Sequence, residues 1–148
     1  MVRFVATARG LETRLVPVTG FPLALIRAGQ LKNVSLGTRL QTLADLPLGL
    51  GRCVSLLRSF RPDVVVGVGG YASGPAMLAA ILLKVPTLAF EPNAIPGLAN
   101  RLVGGRVKAA AVNFEESRCY FHGARVTGTP LRPEFFAIEK KPLGGEKR

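Results

Sequence analysis

Apolar residues form short, almost continuous runs in this chain, and these runs alternate with longer stretches in which apolar residues recur every three or four positions. The short runs predict β-strands at 2–6, 21–26, 63–68, 86–90, 108–112 and 124–127. The longer stretches predict helices at 9–18, 35–60, 73–84 and 95–103. Strands that are apolar throughout are typical of a sheet covered on both faces. The pattern therefore predicts an α/β fold with a Rossmann-like parallel sheet and helices on both of its faces.

Two of the predicted helices have a recognisable apolar side. Leu11, Leu15 and Val18 recur at spacings of four and three, and we expect this side of the first helix to face the core. Pro47 should kink or divide the long helix 35–60. The apolar stripe of that long helix consists of Leu40, Leu43, Leu50, Val54 and Leu57, with Arg39 and Arg52 on the other face.

Residues 64–83 contain no charge and are numerous enough to cross a bilayer as a helix. The centre of this segment, however, contains Gly67, Gly69, Gly70, Gly74 and Pro75. A buried strand, a tight loop and a helix explain that order better than a membrane span does. We expect a serine within the segment, at position 73, to cap the helix.

Composition narrows the class of protein and its partners. With 148 residues, of which 48% are hydrophobic, the chain has the length and apolar content of one globular domain. Twenty Lys and Arg against nine Asp and Glu give a net charge of +11, which favours nucleic acid, phosphates or an anionic membrane as partners. Two Cys and one His are too few for a structural zinc site, so we expect no metal.

The segment 63–75 runs from a predicted strand through several glycines into a predicted helix. Glycines let backbone N–H groups approach a phosphate closely, and the N-terminus of a helix adds about half a positive charge. A diphosphate would therefore suit this loop. The alternative is a turn that needs glycine only for its positive φ angles.

The same loop fits a relaxed dinucleotide-binding pattern. Gly67, Gly69 and Ala72 have the spacing of that pattern, and Glu91 ends the next strand, where a ribose-binding carboxylate would lie. A Rossmann-type NAD-binding oxidoreductase domain is therefore the alternative function. A nucleic-acid-binding module is a third and weaker one, since no recognisable DNA- or RNA-reading motif accompanies the charge.

Two further strand exits carry polar residues. Asn93 follows the strand 86–90 and offers both donors and an acceptor for a sugar or base edge, or it simply caps a turn. Arg132 follows the last strand and could bind a phosphate through two hydrogen bonds, or it is solvated surface. In open α/β sheets, ligands bind at the carboxyl ends of the strands, where both residues are predicted to lie.

The segments 9–12, 61–75, 91–101 and 128–132 together resemble the MurG family in order and spacing. The resemblance covers 2–137 and implies the N-terminal, acceptor-binding half of a two-domain GT-B glycosyltransferase. It further implies that the family's first strand and first glycine loop would precede Val2, that 138–148 is an interdomain linker or tail, and that the donor domain is absent. Phe90, Pro92 and Ala99 depart from the usual family residues.

The resemblance also implies a reaction and a set of site residues. MurG enzymes transfer N-acetylglucosamine from UDP-N-acetylglucosamine to undecaprenyl-linked lipid I and make lipid II for the peptidoglycan of the cell wall. By resemblance, Asn93 and Arg132 contact UDP-N-acetylglucosamine, and no cofactor or metal is needed. The loop for the acceptor pyrophosphate would comprise Gly69, Gly70, Tyr71, Ser73 and Gly74. The catalytic residue stays unassigned, with Glu91 and Tyr71 as weak candidates for a general base.

The implied location is the cytoplasmic face of the bacterial membrane, where the protein would be peripheral and held partly by anionic lipid. We expect no nucleic-acid partner. A separate chain could supply the donor domain, and we expect the 148-residue chain alone to be inactive.

Overall fold

The computed structural model describes residues 1–8, 10–29 and 35–137, apart from a few side chains near the start of the long helix. Six strands lie in this part of the chain: β1 Phe4–Thr7, β2 Leu23–Ile26, β3 Val65–Gly67, β4 Thr87–Glu91, β5 Ala109–Val112 and β6 Ala124–Val126. Its α-helices are α1 Glu12–Val18, α2 Leu36–Phe60, α3 Ser73–Leu82 and α4 Leu98–Val103. Short 3-10 turns lie at Gly104–Arg106, Glu115–Tyr120 and Pro133–Ala137.

All strand pairs in the described chain are parallel, which confirms the predicted α/β fold. The strands form two hydrogen-bonded sheets, one of β1 and β2 and one in the order β3-β4-β5-β6. In the larger sheet Val65 is opposite Thr87, and Leu88 is opposite Ala109. In the described chain β1 pairs only with β2, and β3 pairs only with β4. Each of these two strands therefore has one edge without a neighbouring strand.

Two apolar clusters hold the helices against these sheets. In the first, Met77 of α3 packs with residues of β4, β5 and α4 and is fully buried. The second joins Ile26 of β2, Cys53 of α2 and Ala79 of α3, with Val5 of β1 packed against it. Helix α3 therefore packs against strands of both sheets and joins the two sheets through side-chain contacts.

The side of helix α1 that was predicted to face the core is exposed. Leu11, Leu15 and Val18 are 70%, 62% and 83% exposed, whereas Val16 is buried. A helix of only seven residues can bury only a narrow side against the strands. The buried side of α1 is the one with Val16. The three predicted core residues instead form an exposed apolar surface.

Helix α2 is one continuous helix through Pro47, so the proline does not divide it, and the alternative of a kink stays a prediction. Leu50, Val54 and Leu57 of its predicted stripe pack against the second cluster, and Arg52 is exposed as expected. The side chains of Arg39, Leu40 and Leu43 lie outside what the structure describes. Within the described ranges, none of the helices is long and apolar enough to cross a membrane.

Candidate functional site

The loops that follow β3 and β4 leave the same edge of the larger sheet, because parallel strands place their carboxyl ends together. The first loop, 68–72, leads into α3, and the second, 92–97, leads into α4. Both helices pack on one face of this sheet. Two loops that the sequence singled out separately therefore lie beside each other.

The first loop has the backbone conformation that its glycines predict. Gly69 and Gly70 have φ angles of 87° and 77°, a region that residues with a Cβ rarely adopt. Helix α3 begins three residues after Gly70, at Ser73, so the unpaired N–H groups of its first turn lie beside the loop. Successive N–H groups in such a turn, next to a helix N-terminus, form a concave surface suited to an anion.

Ser73 does not cap the helix, contrary to expectation. The residue at the N-cap position is Ala72, no side-chain capping bond forms, and Ser73 is the first helical residue. Its hydroxyl oxygen is buried and has no hydrogen-bond partner. The hydroxyl packs so close to β3 that a Cβ added to Gly67 would lie 2.7 Å from Ser73 Oγ and 2.7 Å from Met77 Cγ.

The second loop is organised around Glu91, whose side chain is only 2% exposed. Its Oε1 accepts hydrogen bonds from the backbone N–H of Asn93 at 3.0 Å and from Asn93 Nδ2 at 2.9 Å. Its Oε2 accepts from the backbone N–H of Gly97 at 3.2 Å and from Asn100 Nδ2 at 3.0 Å. Four donors therefore share one buried carboxylate, and both ends of the loop are tied to it.

Asn100 of α4 connects the two loops. Its Nδ2 also donates to the carbonyl oxygen of Phe90 at 3.0 Å, and its Oδ1 is buried without a partner. A Cβ added to Gly69 would lie 3.9 Å from Asn100 Nδ2, and one added to Gly74 would lie 3.7 Å from Ala99 Cβ. Helix α4 thus packs beside α3 near the glycine loop and holds Glu91 through Asn100.

The structure brings together most of the residues predicted to form the site. Gly69, Gly70, Ser73 and Gly74 line the turn into α3, and the exposed Tyr71 lies within it. Asn93 is exposed on the neighbouring loop. Its side chain donates to Glu91, which also accepts from Asn100, and Asn100 lies near Gly69. Arg132 is exposed on the segment before Pro133–Ala137, and its side chain makes no hydrogen bond or ion pair with the described residues. Its proposed ligand contact stays a prediction.

The surroundings of Glu91 bear on two roles considered from sequence. A ribose-binding carboxylate must offer free oxygens to two hydroxyls, yet both oxygens of Glu91 already accept two N–H groups. This arrangement disfavours the dinucleotide alternative. It also makes Glu91 a poor general base, because the side chain is buried and both of its oxygens are occupied by N–H donors, so neither oxygen is open to a substrate hydroxyl.

Sequence reasoning assigned no role to Asn100, which is 1% exposed. One signal could have found it, since it is the one uncharged polar residue of the short helix Leu98–Val103. A buried polar side chain requires partners, and an acidic residue nine positions earlier supplies one.

Metal ligands are sparse throughout the described residues, where no three His, Cys, Asp or Glu side chains lie close enough to hold an ion. The described segments contain two free cysteines, of which Cys53 is buried and Cys119 exposed. Burial raises the pKa of the Cys53 thiol from 9.0 to about 11. Neither cysteine is near the two loops in sequence.

Comparison with known proteins gives a consistent result. The family model described as the glycosyltransferase family 28 N-terminal domain matches residues 1–112. A protein of Bdellovibrio bacteriovorus is 46% identical over 138 residues, which are 92% of this chain and 39% of that protein. A protein of Anaeromyxobacter dehalogenans strain 2CP-C is 49% identical over 143 residues, 95% of this chain and 37% of that one.

Both relatives are named UDP-N-acetylglucosamine--N-acetylmuramyl-(pentapeptide) pyrophosphoryl-undecaprenol N-acetylglucosamine transferase. The crystal structure of Acinetobacter baumannii MurG is similar to this chain with a TM-score of 0.72 and 27% identity. The match covers 97% of this chain and 42% of that one. The chain therefore spans about two fifths of the length of the proteins it matches.

Proposed function

The chain belongs to the glycosyltransferase family 28 N-terminal domain family, as its resemblance to MurG predicted, and on this premise we propose a function for it. It is the acceptor-binding part of a hexosyltransferase. The reaction moves N-acetylglucosamine from UDP-N-acetylglucosamine to undecaprenyl-pyrophosphoryl-N-acetylmuramoyl-pentapeptide, which yields lipid II for peptidoglycan synthesis. The names of the relatives support this assignment.

The observation that carries the proposal is the turn from β3 into α3. Gly69 and Gly70 have positive φ angles, and a ten-residue helix begins three residues after Gly70. The Ser73 hydroxyl packs inward against β3, so in this proposal Ser73 contributes its backbone N–H. In this proposal the loop from Gly69 to Gly74, which includes Tyr71, binds the pyrophosphate of the lipid acceptor.

Asn93 and Arg132 would contact UDP-N-acetylglucosamine from the acceptor-domain side. Asn93 is exposed at the sheet edge beside the glycine loop, which is where a sugar nucleotide would meet the acceptor. Arg132 is exposed and has no ion-pair partner in the described chain, so its guanidinium is available to a phosphate. Residues 1–137 would form the acceptor domain, and 138–148, which lie outside the described residues, a linker or tail.

The reaction places simple demands on this half of the enzyme. The acceptor hydroxyl oxygen attacks the anomeric carbon, the bond to UDP breaks, and the configuration inverts. A general base takes the hydroxyl proton, and Glu91 is unsuited to that role because its oxygens are committed to N–H donors. The exposed Tyr71 stays a candidate. We expect the chain alone to be inactive and to require a donor domain, either covalently attached or supplied as a separate chain.

The proposed location is the cytoplasmic face of the cell membrane, where the protein would be attached peripherally. The net charge of +11 supports attraction to anionic lipid. The exposed apolar surface of Leu11, Leu15 and Val18 supports shallow insertion at the interface. We expect no nucleic-acid partner and no cofactor.

Titration of the 15N-labelled chain with inorganic pyrophosphate tests the acceptor site. Pyrophosphate should shift the backbone amide signals of Gly69, Gly70 and Ser73 and leave those of β5 unchanged. Gly70→Ala should weaken binding about tenfold or more, because a Cβ opposes the positive φ angle that presents the N–H groups. Ser73→Ala should leave binding within about twofold, since only the inward-facing hydroxyl is lost and the backbone N–H is kept.

Gly105→Ala is the matched control, because a Cβ at Gly105 meets open space and that residue lies away from the loop. The proposal requires the control to bind pyrophosphate as the wild type does. Binding by Gly70→Ala as tight as by the wild type would show that the loop is only a turn. Amide shifts confined to basic surfaces elsewhere in the chain would show the same.

A further inference from the structure

We propose that Glu91 is a positioning residue that orients Asn93 so that the amide oxygen of Asn93, Oδ1, is the atom offered to the ligand. This inference rests on the proposed function, because it specifies how Asn93 would recognise UDP-N-acetylglucosamine. It assigns Asn93 the role of an acceptor. The group it recognises is then a donor, either a sugar hydroxyl or an amide N–H.

The first step is the orientation of the Asn93 amide. Its Nδ2 lies 2.9 Å from Glu91 Oε1, and the backbone N–H of the same residue lies 3.0 Å from that oxygen. The opposite amide orientation would bring two acceptor oxygens to 2.9 Å with no proton between them. The chemistry of the contact therefore fixes which end of the amide faces Glu91.

The second step concerns what is left for a ligand. Asn93 is exposed, and no donor in the described part of the chain pairs with its Oδ1. Its Nδ2 already gives one of two protons to Glu91. The oxygen is consequently the unengaged end of the side chain, and it accepts a hydrogen bond without disturbing the contact to Glu91.

The third step is the rigidity of Glu91. Besides Asn93, its carboxylate receives the backbone N–H of Gly97 and the side chain of Asn100, which is itself held by the carbonyl oxygen of Phe90. Charge-assisted bonds of this kind are stronger than neutral ones. Asn100 also lies near Gly69, since a Cβ added there would be 3.9 Å from Asn100 Nδ2, so the network that holds Asn93 is close to the proposed pyrophosphate site.

The test compares the wild-type chain with Glu91→Gln, which keeps the shape of the side chain but can present an acceptor to only one of the two donor pairs. We expect amide hydrogen exchange at Asn93 or Gly97 to accelerate about tenfold or more, while exchange in β4 and β5 stays unchanged. Glu116→Gln is the matched control, since Glu116 is exposed and outside this network.

Binding is read from the side-chain 15N signal of Asn93 at millimolar UDP-N-acetylglucosamine. We expect this signal to shift in the wild type and in Glu116→Gln, because a hydrogen bond accepted by Oδ1 withdraws electron density from the amide nitrogen. In Glu91→Gln the shift should be lost and the affinity should fall about tenfold. Pyrophosphate binding at Gly69 and Gly70 should stay within about twofold, which shows that the variant is folded.

The outcomes separate the two proposals. Full UDP-N-acetylglucosamine affinity in Glu91→Gln overturns the positioning role and leaves the proposed function intact. No UDP-N-acetylglucosamine binding by the wild type removes Asn93 from the donor site and overturns the recognition role of its Oδ1. The hydrogen-exchange comparison still decides in that case whether Glu91 orders the loop. Wild-type binding without a shift of the Asn93 side chain refutes the acceptor role.

Discussion

Replacing Asn100 by alanine should destabilise the chain by more than the loss of one hydrogen bond would, because the Asn100 side chain binds both Glu91 and the backbone of Phe90. The substitution removes the bond from Nδ2 to Glu91 Oε2 at 3.0 Å and the bond to the Phe90 carbonyl oxygen at 3.0 Å. Asn100 is 1% exposed, so water does not simply replace these bonds. The buried carboxylate keeps three of its four donors.

The expected magnitude follows from these contacts. A bond to a charged acceptor contributes about 2 kcal/mol and a neutral one about 1 kcal/mol. The small cavity left by the truncation adds roughly 1 kcal/mol. Removing the buried, unpartnered Oδ1 relieves a desolvation cost of about 1 kcal/mol. The sum is a loss of about 3 kcal/mol in the free energy of unfolding.

Urea denaturation followed by far-ultraviolet circular dichroism measures this loss directly. Asn93→Ala is the matched control, since that residue is exposed and its side chain gives only one bond to Glu91, so it should cost about 1 kcal/mol or less. A loss in Asn100→Ala no larger than in the control would refute the reasoning. It would show that Glu91 does not depend on α4.

A pH series with Asn100→Asp checks the electrostatic part of the argument. The new carboxylate lies against the carboxylate of Glu91, and repulsion raises the pKa of the introduced aspartate above the ordinary carboxyl range. The folded variant then binds protons more readily than the unfolded one. The difference in the free energy of unfolding between this variant and the wild type should therefore shrink as pH falls from about 7 toward about 5. A deficit independent of pH would contradict this account.

Other substitutions and labels test separate features. Iodoacetamide should label Cys119 in the folded chain and Cys53 only on unfolding, as mass spectrometry can show, because Cys53 is 2% exposed and burial raises its pKa to about 11. Since the folded state keeps that proton above pH 9, stability should fall between about pH 9 and 11 by more in the wild type than in Cys53→Ala. Gly104→Ala should cost more than about 2 kcal/mol in urea denaturation, because its Cβ would collide with a backbone carbonyl oxygen, whereas Gly105→Ala should cost under about 0.5 kcal/mol. The chain should sediment with anionic liposomes at low salt and less with neutral ones, and Arg52→Glu should weaken this binding; binding insensitive to salt and lipid charge would contradict the electrostatic account.

The strands and the site edge could be predicted from the sequence because each depends on local information. Continuous apolar runs indicate buried parallel strands, and glycines after a strand indicate a tight turn into a helix. Parallel topology then brings the ends of β3 and β4 to one edge without any knowledge of side-chain contacts. The position of the glycine loop beside Asn93 follows from that rule alone.

Details that depend on tertiary contacts could not be predicted in the same way. The spacing of Leu11, Leu15 and Val18 fits a buried face, yet Val16 is the residue that packs, because the strands decide which side of a short helix is covered. Ser73 has the right residue type for a cap, but the helix starts one residue early and turns its hydroxyl inward. The Glu91 and Asn100 contact joins a strand end to a later helix, and no local pattern encodes it.

The division of the strands into two sheets limits how cooperatively this chain can unfold. No backbone hydrogen bond of the described chain joins β1 to β3, so the sheets are coupled mainly through side chains packed beneath α2 and α3. Side-chain packing can loosen in one place without breaking a ladder of hydrogen bonds elsewhere. The unit of β1, α1 and β2 is therefore free to open as a separate, lower-energy step while β3 to β6 stay folded. Both loops of the proposed site lie on the part that stays closed, so local opening of the N-terminal unit leaves the geometry around Glu91 intact.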